Sequence, residues 1–268
     1  MAKWHYDLTG AEMIIRDVPM SDASLIDTGQ FLMQSAATDR HQETISGVTG
    51  ASTEMVAGVG IALEKIGTAG SQGGYPLQDP MDTQASINTP TATGQRWGKA
   101  IMNPLAVFLA EYSQATADAP AATTNASATT TPTITAIEQD IGGGWLYVCK
   151  GSSAANQGQL RYVKSTAANT PTLDSNINLT SAVDRLVKIL PLNHEKTNLD
   201  STGKMLKTTL AAGAGISMKI FQNYIQQNVG ALEILRHKLH AGLNLPDVTL
   251  THFFADVLIL DHAYNKRV

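Results

Sequence analysis

Gly142-Gly143-Gly144-Trp145-Leu146-Tyr147-Val148-Cys149-Lys150 is the stretch that decides how this chain reads. Three glycines interrupt whatever precedes them, and an unbroken aromatic and apolar run follows. Trp, Tyr and Val suit the pleated, half-buried surface of a strand. Runs of the same kind are Ile134-Thr135-Ala136-Ile137, Leu160-Arg161-Tyr162-Val163 and Leu186-Val187-Lys188-Ile189-Leu190. Gly151-Ser152-Ser153, Gly158 and an Asn/Thr/Pro stretch separate them, so the pattern predicts a small antiparallel β module over 134–192.

Outward from that module the period changes. Residues 113–133 are low in complexity and carry a single charge, Asp118; they have too little apolar surface to offset chain entropy and read as a linker or long loop. Before them, Met55, Val59, Leu63 and Ile66 recur at helical spacing with Gly67 as a stop. Asn103 stands as an N-cap with Pro104 in the first turn, and Leu105, Phe108, Leu109 and Tyr112 would line one helix face. Residues 53–112 thus read as the helical part of a main domain.

Beyond the module, over 193–268, Ile216, Ile220, Ile225, Val229, Leu232, Leu235 and Leu239 trace a long helical stripe ended by Gly242 and Pro246. A closing strand would run from Val248 to Leu260. Residues 1–52 show no clean period and read as an extended N-terminal arm, with a short helix near Ser24–Ser35. The fold class expected is α+β: helical N- and C-terminal parts with a small antiparallel β module inserted between them.

Composition bounds the function. Charged residues make up 16% of the 268, against about 25% in ordinary soluble domains. A surface so sparing in charge loses little solvation on burial against other protein. Net charge is -4 without a Lys/Arg cluster, which argues against a nucleic-acid partner. No apolar run approaches the roughly 20 residues of a membrane-spanning helix. The lone Cys149 excludes an internal disulfide, and the opening residues carry no cleavage signature, so cytoplasmic synthesis and assembly are expected.

The catalytic templates fail one by one. Gly98-Lys99 ends like a phosphate loop, but Thr93 and Ala100 replace the first glycine and the hydroxyl residue. Gly58-Val59-Gly60 opens like a dinucleotide fingerprint, yet Leu63 stands where the third glycine belongs. His194-Glu195 and His41-Gln42-Glu43 lack a second histidine at helical spacing, and Ala69 spoils a nucleophile elbow at Ala69-Gly70-Ser71-Gln72-Gly73. Cys149 ends an apolar strand and reads as a small buried hydrophobe. His237, His240, His252, Asp256, Asp261 and His262 hold metal-ligand chemistry, with interface or surface polar groups as the plainer reading. Trp4, Trp97 and Trp145 serve equally well as core residues or interface anchors. No enzyme activity, cofactor or small-molecule substrate is expected.

The turn at Gly142–Trp145 and the strand Gly158-Gln159-Leu160-Arg161-Tyr162-Val163, followed by Lys164-Ser165-Thr166-Ala167-Ala168, resemble the tailed-bacteriophage virion proteins of capsid-shell or capsid-decoration type. The resemblance covers about the central fifth of the chain. It implies a structural component of a capsid, placed in many copies in the virion and working through subunit–subunit packing with itself and other capsid proteins. In that role the arm would clamp a neighbour through Ile14, Ile15, Leu25, Ile26, Phe31 and Leu32. Two other classes stay open: a head-fibre or adhesin module that binds a host-surface glycan through the β module, and a metal-dependent enzyme built on the C-terminal His/Asp set.

Overall fold

The computed structural model describes residues 2–20, 26–34, 45–47, 58–65, 96–112, 121–122, 128–134, 141–167, 170–180, 183–193, 197–199, 205–207, 216–227, 231–240 and 251–262. Segments far apart in sequence build its first sheet. β1 (Ala2–Asp7), β7 (Ala106–Glu111), β17 (Thr251–Ile259), β15 (Met218–Gln227) and β16 (Glu233–Ile234) lie side by side in that order, each antiparallel to its neighbour. A second five-stranded sheet has the order β11 (Thr170–Leu173), β10 (Leu160–Ala167), β9 (Trp145–Lys150), β12 (Arg185–Ile189) and β8 (Ala121–Ala122).

The remaining strands form two smaller units. β2 (Ile15–Met20), β4 (Ile45–Gly47), β3 (Phe31–Gln34), β5 (Gly58–Ala62) and β6 (Arg96–Ile101) close into a barrel whose only parallel pair is β2 with β4. β13 (Thr197–Leu199) and β14 (Met205–Lys207) pair with one another. Among the described residues the only helix is α1 (Leu235–His240).

One apolar core joins the barrel and the two five-stranded sheets. Phe31, Ile61 and Ile101 of the barrel, Phe108, Phe253 and Val257 of the first sheet, and Leu146, Val148 and Leu186 of the second belong to a single buried cluster. Fully burying one such side chain stabilises the fold by about 1.5–3 kcal/mol. Polar ties cross the same seam: the Tyr112 hydroxyl donates to the Lys188 carbonyl, and the Asn223 amide to that of Leu190. A smaller cluster of Val18, Ile26, Leu32, Val59, Ala62, Ala100 and Met102 fills the barrel.

Among the described residues the helical N- and C-terminal parts expected from the sequence are strands instead, apart from α1, which holds Leu235 and Leu239 of the C-terminal stripe, and the fold is mostly β. Each misreading has a physical cause. β5 and the first five residues of β7 are buried throughout, so they need not alternate, and an unbroken apolar run can mimic a helix face. The stripe through Ile216, Ile220 and Ile225 arises from a register shift between Ile220 and Gln222: that bulge moves the apolar phase of β15 by one residue. The turn at Asn103 leads into β7 rather than a helix, with Ala106 N–H donating to the Asn103 carbonyl. Over Ser24–Ser35, the described part ends in strand β3. Met55, Ile66 and Val229 lie outside the described residues.

Elsewhere strands stand where strands were read. β9, β10 and β12 cover the runs from Trp145, Leu160 and Leu186, and β17 lies within 248–260. Most of 113–133 lies outside the described residues, although Ala121–Ala122 form β8 against β12. Within 1–52, β1 pairs with β7 and β2 with β6, so these parts of the arm are built into the chain's own sheets.

Candidate functional site

Asn103 is a buried polar side chain, 1% exposed, at the turn between β6 and β7. Its Oδ1 accepts the Ile14 backbone N–H at 2.6 Å. Its Nδ2 donates to the Glu12 carbonyl at 2.8 Å and to Asp7 Oδ2 at 3.3 Å. Asp7 Oδ1 in turn accepts the backbone N–H and hydroxyl of Thr9. Burial pushes the Asp7 carboxyl up, but hydrogen bonds from Thr9, Asn103 and the Ala11 backbone outweigh it and hold its pKa below the ordinary value.

This hub fixes the connection from β1 to β2 as a shaped surface. Further backbone bonds join it: Leu8 N–H to the Leu105 carbonyl at 3.1 Å, and Met102 N–H to the Ile14 carbonyl at 3.0 Å. Among the described residues, twelve large hydrophobics are exposed, and five of them (Leu8, Met13, Ile14, Ile15 and Leu105) sit on the three segments so joined. Ile15 and Leu8 are 46% and 49% exposed. Apolar groups concentrated on a rigid polar frame mark a contact surface better than the same groups scattered singly.

The six residues expected to clamp a neighbour divide accordingly. Ile14 and Ile15 are exposed on this surface, whereas Ile26, Phe31 and Leu32 are at most 2% exposed and pack within the chain's own core. Leu25 lies outside the described residues. Leu8 and Met13 were not singled out by the sequence, and Leu105 was read only as part of a helix face. The one signal for the site was the run Met13-Ile14-Ile15, apolar on consecutive residues where a half-buried strand would alternate.

The groups that hinted at chemistry have packing roles. Gly60 adopts φ 143, and a side chain there would collide with the Ile101 carbonyl oxygen. At Gly58 an added Cβ would lie 2.7 Å from Ile259 Cγ2 and 2.8 Å from Ile216 Cγ2. These glycines let backbone and neighbouring strands approach closely. Lys99, in the middle of β6, pairs with Asp17 at 3.1 Å. Burial pushes the Cys149 thiol up to about 12, so its reactive thiolate is suppressed. His41, His194, Glu195 and the stretch 69–73 lie outside the described residues.

The C-terminal set is dispersed. His252 Nδ1 pairs with Glu111 at 2.7 Å, Asp256 with His5 and Tyr224, and buried His262 with the Val59 carbonyl. His237 is exposed on α1. Among the described residues no three His, Cys, Asp or Glu side chains gather as a metal site. Trp4 packs edge-on against Phe108, and Trp145 against Tyr162; Trp97 lies on β6 opposite Pro19.

The residues behind the virion-protein resemblance act as a local brace. Gln159 donates to the Asn156 and Asn178 carbonyls and accepts the Asn178 N–H, while Arg161 Nε donates to the Asn176 carbonyl at 2.6 Å. They bind β10 to the segment after β11. No protein-family model, curated protein or solved structure matches this chain.

Proposed function

We propose that the chain is a structural component of a bacteriophage capsid, a shell-associated or shell protein, that works by multivalent packing against copies of itself and other capsid proteins. The observation that carries this reading is the exposed apolar set Leu8, Met13, Ile14, Ile15 and Leu105, held in place by the buried Asn103–Asp7 pair. A rigid apolar surface associates without first ordering a loop, so less of the contact energy is lost to entropy. The low charge supports the same reading, because few ions lose water when such surfaces meet. Many weak copies then add by avidity.

The test is sedimentation velocity of the full chain over rising concentration, beside the double variant Leu8→Glu/Ile15→Glu. The expected result is a regular assembly for the native chain and a monomer with an unchanged melting temperature for the variant. A native chain that stays monomeric throughout, or a variant that assembles equally well, overturns the proposal.

A further inference from the structure

The first sheet has a second face, turned away from the core. Phe253, Ala255, Val257 and Ile259 of β17 enter the core, so His252, Phe254, Asp256 and Leu258 alternate to the other side. Register places Gln222 beside Asp256, Tyr224 beside Phe254 and Gln226 beside His252 on β15, and Leu109 and Glu111 beside Asp256 and Phe254 on β7. On β1 a bulge between Trp4 and Tyr6 breaks the alternation. It leaves Trp4 packed on the core while His5 and Tyr6 both stand on the outer face.

These side chains form a connected constellation. Asp256, 3% exposed, accepts His5 Nδ1 at 2.7 Å and the Tyr224 hydroxyl at 2.6 Å. The His5 ring meets Tyr6 at 5.0 Å and Tyr224 at 6.4 Å between centroids. Further along, His252 pairs with Glu111 and its ring lies 6.3 Å from Phe254. With Nδ1 directed at a carboxylate, each imidazole keeps Nε2 for an outside partner. The rings of Tyr224 and Phe254 are half-buried, and Tyr6 is 39% exposed.

We propose that this face binds a neutral oligosaccharide. Its chemistry fits that class on three counts. Flat rings present apolar surface to the C–H face of a sugar. Gln222 offers a planar amide able to donate and accept, as vicinal hydroxyls require. The carboxylates of Asp256 and Glu111 are already engaged by protein donors, and the cations Lys3 and Lys219 stand on β1 and β15, with two strands between them. Among the described residues no cationic cluster is therefore present on the face to select a phosphate or sulfate. From Asp256 to His252 the strand rises about 13 Å, the length of a short oligosaccharide. This binding goes beyond subunit packing and uses none of the surface around Asn103.

The experiment is affinity electrophoresis of the full chain through native gels cast with dextran, mannan, galactan or a bacterial O-polysaccharide. Retardation is expected in at least one gel, with an apparent Kd at least fivefold weaker for Tyr6→Ala and for His252→Ala. Tyr162→Ala, on the other sheet, should match the native chain. Melting temperatures identify any variant that fails to fold, and His252→Ala alone then decides. No retardation in any gel overturns the proposal. So does binding that Tyr162→Ala abolishes and the outer-face variants leave intact.

Discussion

The Nε2–H of His262 donates to the carbonyl oxygen of Val59, 2.9 Å away and 203 residues earlier in the chain. The adjacent bond, Gly58 N–H to the Asp261 carbonyl at 2.8 Å, completes a clasp between the end of β17 and barrel strand β5. Burial pulls the His262 pKa below its ordinary value, and the Val59 carbonyl, which favours the charged ring, offsets this only in part.

Stability should therefore fall on acidification. As pH drops through the ordinary histidine range, the unfolded chain takes up a proton at His262 that the folded chain still refuses, so protons favour unfolding. The urea midpoint should decline between about pH 7.5 and about pH 5.5, around the reference histidine pKa. His262→Gln should flatten that decline. Equal slopes for the two proteins would show that the clasp does not sense protons.

Gly60 and Gly58 should differ in what a methyl group costs. Gly60→Ala sets an unfavourable φ together with a collision on the Ile101 backbone, which cannot move without β6. A loss of about 3 kcal/mol or more is expected. Gly58→Ala presses on the side chains of Ile259 and Ile216, which can shift, and should cost about 1–3 kcal/mol. Urea titrations of both variants check the order; a costlier Gly58→Ala would reverse the assignment.

Removing the amide of Asn103 strands the Ile14 N–H and the Glu12 carbonyl together. Asn103→Ala should lose about 2–3 kcal/mol and speed hydrogen exchange at the Ile14 amide. Asn103→Asp should be worse, since it sets a second carboxylate against Asp7 and the Glu12 carbonyl. An aspartate variant as stable as the native chain would mean that the hub tolerates like charge.

What could be read from the sequence follows from which surfaces each strand buries. The runs at Trp145, Leu160 and Leu186 were legible because aromatic and β-branched residues stand between glycine-rich turns. β5 and β7 were not, since a strand buried on both faces carries no alternation, and the bulge in β15 imitates a helical step. At the candidate surface, Ile14 and Ile15 declared themselves by hydrophobicity alone. Asn103 was recognised as a short amide suited to catching a backbone N–H, but read as a local cap; its partner is 89 residues upstream. Asp7 and Leu105 acquire meaning only through that long-range bond. The outer-face group was partly visible as Asp256 and His252, whereas His5 and Tyr6 depend on a bulge that composition does not announce.

The placement of β7 between β1 and β17 also sets a schedule for the nascent chain. β1 and β7 leave the ribosome early, but the strand that must cover the other edge of β7 follows more than half a chain later. At about 5–20 residues per second that interval is on the order of ten seconds. Throughout it β7 presents an apolar, unpaired edge to any other copy being made nearby. Overproduction is therefore expected to fail first by strand pairing between unfinished chains, and slowing initiation should rescue yield where stabilising the finished protein does not.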